Sequence, residues 1–306
     1  MEVQDRPWSS RRGLSGDQAV GLVTQVVAGA GYCTDGIALL RPPADNAMVA
    51  IPRLGLVARV GIDVAFHDRL VNELDVAEWL TSRGVPSIQA AQLPGLAQLE
   101  VIDGRVFTWW RYIEAEGTAT AGDLGRALRQ LHDQRPPWPR LPILDPWSRV
   151  ASQIRAANLP FEDRNNLERH WHRLADRWER SDWPHRVSAV IHGDAHRGNV
   201  LMSGGVGHLL DFEDTCLGPC EWDIAYVVAS ERVGWLSPVE ASDFWREYGG
   251  DPQQGHELDL LVDIAQFRRT CWLASRLPFE PDLIRDVQHR IATLLDPGLP
   301  RRWLPG

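Results

Sequence analysis

Val190-Ile191-His192-Gly193-Asp194 brings an apolar run onto a His-Gly-Asp turn, and no other stretch constrains the chain as tightly. Asn199 stands five residues after that Asp, and twelve residues further on Asp211 closes the run Val206 to Leu210. Short apolar runs bounded by turn residues are read as strands. The spacing therefore sets three oxygen-bearing side chains, Asp194, Asn199 and Asp211, at the ends of neighbouring strands. Gly193 permits a tight backbone turn before Asp194. One carboxylate so placed can orient a hydroxyl and take its proton. A carboxamide and a second carboxylate offer the hard oxygens that magnesium prefers, and magnesium keeps enough waters that two protein ligands plus phosphate oxygens suffice. Phosphoryl transfer asks the protein mainly for positioning and charge neutralisation, and this set supplies both. Taken singly, each residue reads as an ordinary turn residue.

His192 and His196 bracket Asp194, and His-x-Asp-x-His by itself would suit a metal hydrolase. Imidazoles favour zinc and similar ions, however, whereas phosphoryl-transfer magnesium wants oxygen. The two histidines are read as ordered loop residues.

The pattern His-Gly-Asp-x-His-x-x-Asn-x-Leu with a downstream Asp-Phe-Glu resembles the aminoglycoside phosphotransferase and choline kinase families, which are similar to protein kinases with a changed loop spelling. The segment Leu124-Gly125 through Leu131-His132 resembles their linker helix, and Gly218-Pro219-Cys220-Glu221-Trp222-Asp223 resembles the segment after their second metal ligand. The N-terminal part matches only loosely. The resemblance implies an α+β, bilobal, protein-kinase-like fold. A small lobe of five strands and one main helix would span residues 1–113, and a larger, mostly helical catalytic lobe residues 114–306. It further implies Mg2+, ATP or GTP as donor, and a small-molecule hydroxyl as acceptor, an aminoglycoside or other antibiotic or a metabolite alcohol such as a choline-like or sugar-like one.

Within that frame Asp194 is the expected base, and Asn199 and Asp211 are the expected metal ligands. Arg59 stands where a lysine would contact the donor phosphates; its guanidinium can carry that charge bidentately. Arg41 and Arg53 are nearby alternatives. Glu73 is the expected partner of Arg59, because it shares a helix face with Leu70, Ala77 and Leu80, and an acid in an apolar stripe calls for a cation. The turn Ala44-Asp45-Asn46 occupies the place of a phosphate-covering loop without its glycines, leaving Asn46 as a candidate. Thr108-Trp109-Trp110-Arg111-Tyr112 would form the hinge that reads the base through backbone groups, with Trp109, Trp110 and Arg111 as donor-site candidates. Glu213 and Asp214 would meet a second ion or a cationic acceptor. Asp259 and Asp263, four apart on one helix face, would join Glu257 in an acidic acceptor surface, although Arg268 and Arg269 on the same helix cut against a polycation. Asp223 would either clamp the loop or serve as an acid at a helix N-terminus.

Two other classes stay open. The substitution of Arg at position 59 and the missing glycine loop would suit a catalytically weak nucleotide-binding module; the intact Asp194–Asn199–Asp211 set argues for turnover. A metal hydrolase would need no nucleotide. A protein kinase is disfavoured by the His-Gly-Asp spelling.

The 306 residues can bury a core large enough for two lobes. A net charge of -9 disfavours a nucleic-acid partner. The chain contains no lysine, so a lysine nucleophile or a P-loop lysine is excluded. No apolar run has the length of a membrane span, and Met1 to Arg12 lacks an apolar leader; a cytoplasmic protein is expected. Cys33, Cys216, Cys220 and Cys271 are read as reduced thiols, Cys216 and Cys220 being a weak zinc signal. The oligomeric state is left open.

Periodicity and punctuation predict a capped helix after Ser15 to Gly29, strands at 37–40, 47–51 and 54–60, and a helix over 66–82. Strands at 96–102 and 105–113 follow, joined by an Asp103-Gly104 hairpin turn. Helices are predicted at 122–133, 146–157, 163–180, 220–231, 238–248, 256–276 and 281–295, with a proline-rich connector over 135–146.

Overall fold

The computed structural model describes residues 14–41, 46–61, 67–136, 141–187, 189–250 and 258–304. The predicted N-terminal stretch to Arg12, the turn 42–45, the first residue of the helix predicted from Phe66, part of the proline-rich connector and Glu257 lie outside the described residues. The described residues form two compact units: those from 14 to 118 together with 199–215, and those from 119 to 198 together with those from 216 to 304.

The first unit is built on an antiparallel sheet of five strands in the order β1-β2-β3-β5-β4: β1 (Ala38–Leu39), β2 (Asn46–Ile51), β3 (Leu56–Gly61), β4 (Leu99–Ile102) and β5 (Arg105–Arg111). The sheet follows from strict alternation. Ala47, Val49 and Ile51, then Leu56, Ala58 and Val60, then Phe107 and Trp109 all point to one face, where they bury against α1 (Gly16–Gly29) through Ala19, Val23 and Val27. The helix begins as predicted, with the Ser15 side chain and Gln18 closing a reciprocal cap. Arg59 and Thr108 are opposite one another in register and alternate onto the other face, where α2 (His67–Ser82) presents its buried Leu70, Glu73, Leu74 and Ala77.

Asp103 and Gly104 carry φ of +51° and +73°, the left-handed pair of a two-residue hairpin turn whose twist matches its strands. β4 starts at Leu99 rather than near Leu96, because Leu96 N–H donates to the Leu93 carbonyl at 3.0 Å and spends those residues on a turn. A second hairpin, β7 (Val200–Ser203) and β8 (Val206–Leu209), belongs to this unit as well. It is tied there by Ile88 N–H to Leu209 O (2.9 Å), Leu209 N–H to Pro86 O (3.1 Å) and Glu116 N–H to Met202 O (2.7 Å).

The second unit is helical: α3 (Ala121–His132), α4 (Val150–Ala156), α5 (Phe161–Glu179), α6 (Glu221–Arg232), α7 (Pro238–Tyr248), α8 (Leu258–Ser275) and α9 (Ile284–Leu295), with one two-stranded ribbon of β6 (Ala189–Ile191) and β9 (Cys216–Gly218). α8 is apolar on nearly every side, from Leu261 and Val262 to Phe267 and Leu273, and forms the centre of the core. α4 starts at Val150 rather than at residue 146, since Asp145 Oδ1 accepts the Trp147 N–H at 2.9 Å and holds the preceding residues in a turn. Gly125 lets α3 and α7 approach closely: a β-carbon there would sit 2.5 Å from the Phe244 carbonyl oxygen.

Candidate active site

β6 delivers the His-Gly-Asp turn, and two backbone N–H groups of that turn are held by one acid. Asp223, fully buried in the first turn of α6, accepts the His192 N–H at 2.7 Å and the Gly193 N–H at 2.9 Å. Gly193 has φ +83°, a conformation that a side chain would resist. The Trp222 indole N–H closes the turn on the Gly193 carbonyl at 3.2 Å. Asp223 thus clamps the loop and also lies at a helix N-terminus; the two readings open from sequence are compatible, and the geometry gives the clamp.

A third donor reaches the same acid. His132 on α3 places Nε2 3.0 Å from Asp223 and Nδ1 2.9 Å from the Tyr248 hydroxyl. Burial would lower the imidazolium, but hydrogen bonds to Asp223 and Cys220 raise it to about 9. The sequence carries no local signal for this role of His132, because its partners are 91 and 116 residues away.

Asp194 is in this helical unit, 42% exposed at its side chain, with His196 Nε2 at 3.6 Å. Burial opposes ionisation of its carboxyl. The His196 imidazole 3.6 Å away and the nearby charge of Arg149 nevertheless hold it well below the usual carboxylate range. His196 Nδ1 in turn accepts the Gly198 N–H at 3.1 Å, which leaves Nε2–H facing Asp194.

Asn199 and Asp211 belong to the sheet unit, at the same end of the β7–β8 hairpin. Leu210, next to Asp211, donates its N–H to the Asn199 carbonyl at 3.1 Å. Asn199 is buried, whereas the Asp211 side chain is 43% exposed. Asp211 adopts φ 65°, ψ 65°, and among the described residues Asp103 is the other non-glycine with positive φ. Left-handed backbone of this kind costs free energy and aims the carboxylate in a direction that an extended residue would not.

Beside Asp211 stands a ladder of alternating charges. Arg59 bonds Glu73 and Glu213 and lies 3.8 Å from Asp211. Arg69 bonds Asp214 and lies 3.7 Å from Glu213. Burial alone would make the Arg59 cation costly, but Glu73, Glu213 and Asp211 hold its proton above the ordinary arginine range. Burial pushes the Glu73 carboxyl up to about 7 against the pull of Arg59. The Arg59 direction governs the pair, because two hydrogen-bonded carboxylates face one guanidinium, so the contact is ionic. Asn72 fastens α2 to the turn after Asp211 by donating to the carbonyls of Phe212 (3.4 Å) and Thr215 (3.0 Å). Arg69 and Asn72 carry little signal in the sequence beyond the spacing of Arg69, four residues before Glu73 on α2.

Trp109 is fully enclosed in the core beneath α1 and its indole N–H donates to the Ala97 carbonyl at 3.1 Å, so its ring is committed to packing and offers no face to a ligand. Trp110 is buried on the opposite face, bonded to Thr108 Oγ1 at 2.9 Å. Arg111 is exposed at the end of β5 and bonds Gln89 O through its backbone at 2.8 Å. Asn46 opens β2 opposite Gly61. Glu213 and Asp214 are already engaged by arginines. So are Asp259, paired with Arg232, and Asp263, 2.8 Å from Arg177. Cys216 and Cys220 are free thiols, and among the described residues no group of three or more His, Cys, Asp or Glu is arranged to hold a metal.

The family model of the phosphotransferase enzyme family matches residues 55–258. The chain belongs to that family. It is a phosphotransferase. No curated protein matches its sequence. Among solved structures, amicoumacin kinase hAmiN in complex with AMP-PNP, Ca2+ and Ami superposes with a TM-score of 0.68 at 14% identity, covering 91% of this chain and 94% of that one. A microcompartment-associated aminopropanol kinase gives 0.66 at 17% identity, with 90% and 96% covered. A choline/ethanolamine kinase family protein from Mesorhizobium loti gives 0.60 at 16% identity, with 90% and 94% covered. These likenesses establish for the phosphotransferase the α+β, protein-kinase-like fold expected from its sequence. No helix among the described residues is long and apolar enough to cross a membrane.

Proposed function

We propose that the phosphotransferase moves the terminal phosphoryl group of ATP or GTP to a hydroxyl of a small molecule with the help of magnesium. The observation that carries this reading is Asp194, a carboxylate held ionised at the tip of a loop whose backbone is pinned by Asp223. In the reaction the Asp194 carboxylate orients the acceptor hydroxyl and accepts its proton. The hydroxyl oxygen forms its bond to the terminal phosphorus as the bond from phosphorus to the bridging oxygen breaks, and the electron pair leaves on the nucleoside diphosphate. A carboxylate of such low proton affinity is a weak base. That suits a loose transition state, in which the hydroxyl becomes acidic late and orientation matters more than proton pull.

Arg59 supplies fixed positive charge for the donor phosphates. Glu73 holds the guanidinium in place, 3.8 Å from the Asp211 carboxylate. The donor set Asn199 and Asp211 fits a magnesium ion, being all hard oxygen, and the strained backbone of Asp211 favours a role in ligation over one in packing. When bound, magnesium neutralises phosphate charge as it builds up on transfer. Nucleotides or their analogues accompany several proteins of like fold, including AMP-PNP with the amicoumacin kinase, ADP with a spectinomycin phosphotransferase and GDP with a kanamycin-bound enzyme. The chemistry is shared across acceptors as different as antibiotics and aminopropanol, so the fold does not choose among them. A cytoplasmic setting, where nucleoside triphosphate is abundant, accords with this reading.

A coupled assay of nucleotide consumption across amine-bearing antibiotics and small alcohols tests the proposal. Asp194→Ala is expected to reduce transfer by at least about 10³-fold while nucleotide binding, followed by calorimetry, persists. Undiminished transfer in that variant would remove Asp194 from the chemistry.

A further inference from the structure

Two arginines of the helical unit stack on the same indole, and they differ in how their charge is met. Arg290 on α9 lies over the Trp235 and Trp303 rings, is ion-paired with Asp286 at 2.8 Å, and donates to the Leu304 carbonyl at 2.6 Å. Every part of it serves packing of the C-terminal segment. Arg269 on α8 lies 4.9 Å over Tyr226 and 5.0 Å over Trp235, and its Nη1 donates to Ser230 Oγ at 2.8 Å and to the Tyr226 carbonyl at 3.4 Å. Among the described residues no carboxylate forms an ion pair with it, and its Nε and Nη2 donate to no protein group. These N–H groups are not sealed off, since the side chain is half-buried and keeps contact with solvent.

Arg269 stands beside the His-Gly-Asp turn: the Tyr226 ring beneath it lies 6.0 Å from the Trp222 ring, whose indole N–H bonds the carbonyl of Gly193, the residue before Asp194. Burial lowers the proton affinity of the guanidinium, and Asp194 offsets part of that cost. A guanidinium held by two rings and a hydroxyl, without a carboxylate partner and with two donors open to solvent, is oriented in advance for an anion that a ligand brings. The two remaining donors, Nε–H and Nη2–H, form the edge of the fork that grips two oxygens of a planar anion. A polycation fits poorly here. Arg269 and Arg149 both act on Asp194, and the acids Asp259 and Asp263 are already paired with arginines.

We infer that Arg269 binds a carboxylate of the acceptor, so that the substrate is a small hydroxy acid whose hydroxyl is presented to Asp194. The inference rests on the phosphotransfer reading above and names the substrate class of that same site. Arg269, held by Ser230 and the two rings, fixes one end of the substrate; the proposed base receives the other. Carboxylate is preferred to a dianionic phosphate group because the nearby Asp194 charge repels a second negative charge more than a first.

The test is nucleotide consumption by the full chain with three sets of acceptors. The first is hydroxy acids (homoserine, glycerate, shikimate), the second their uncharged amides, and the third cationic acceptors (choline, kanamycin). Consumption is expected with at least one hydroxy acid, with kcat/KM about 10²-fold or more above that of its amide. Arg269→Gln should shrink that acid-to-amide ratio to within a few-fold, chiefly through KM, and Arg269→Lys should restore part of it. The comparison of acid with amide in the unaltered protein stands even if a variant folds poorly. Consumption confined to amides or cationic acceptors overturns the carboxylate inference and leaves phosphotransfer intact. No consumption in any set overturns both.

Discussion

Asp223 and Gly193, 30 residues apart in the chain, are joined by a 2.9 Å hydrogen bond from a loop N–H to a buried carboxylate. The other carboxylate oxygen takes the His192 N–H at 2.7 Å and His132 at 3.0 Å, so one side chain holds the His-Gly-Asp turn and a helix together.

Replacing Asp223 with Asn keeps the volume but removes the charge, and half of the amide is a donor facing donors. The buried His132 cation would lose its counter-charge, which costs roughly 3–5 kcal/mol when a buried pair is broken. Denaturant unfolding should show a loss of this order. Loosening of the Asp194 loop should lower kcat by about 10²-fold with a smaller change in KM. An Asn variant as stable and active as the parent would mean the clamp is dispensable.

His132 makes stability depend on pH. Its proton affinity rises on folding, from the ordinary 6.5 to about 9, so the contribution is fully present below pH 6.5 and is lost as pH climbs through about 9. The side chain is buried, and the shift corresponds to an order of 3 kcal/mol. Thermal unfolding followed from pH 6 to 10 should show a falling Tm over that window, flattened in His132→Gln. Asp194, held ionised, adds no loss of activity in the same range.

Arg59 meets three acids, and Glu73 beneath it is 1% exposed. Arg59→Ala therefore strands a buried carboxylate and should cost on the order of 3–5 kcal/mol. Arg59→Lys should fold, since one cation remains, but a single ammonium cannot fork between Glu73 and Glu213. Its KM for nucleotide is expected to rise about tenfold, measured at saturating acceptor. A Lys variant with unaltered nucleotide KM would argue that Arg59 serves the fold alone.

Gly125 is where α3 meets α7 with no room for a methyl group. Gly125→Ala gains helix propensity but must push the Phe244 backbone aside, so the net effect should be destabilising by roughly 1–3 kcal/mol. Chemical denaturation would register it as a lower midpoint with unchanged slope. The gain expected of an unhindered Gly-to-Ala change would show that the helices separate at little cost.

The helices and strands were legible in the sequence because they depend on neighbours. Alternation in β2, β3 and β5, the Ser15–Gln18 cap and the Asp103-Gly104 turn are set by residues a few positions apart, and their element boundaries emerged within a few residues of expectation. Glu73 was readable as a charge in need of a partner because helical spacing put it in an apolar stripe. What tertiary structure decided was which distant groups meet. Arg59 takes Glu213 from 154 residues away, His132 takes Asp223, the β7–β8 hairpin joins the sheet unit, and Arg269 keeps its fork open while Arg290 finds Asp286. Such pairings depend on loop closure and on the shape of the packed core. A linear pattern records which groups are charged or apolar, but not which of many equivalent partners packing brings within 3 Å.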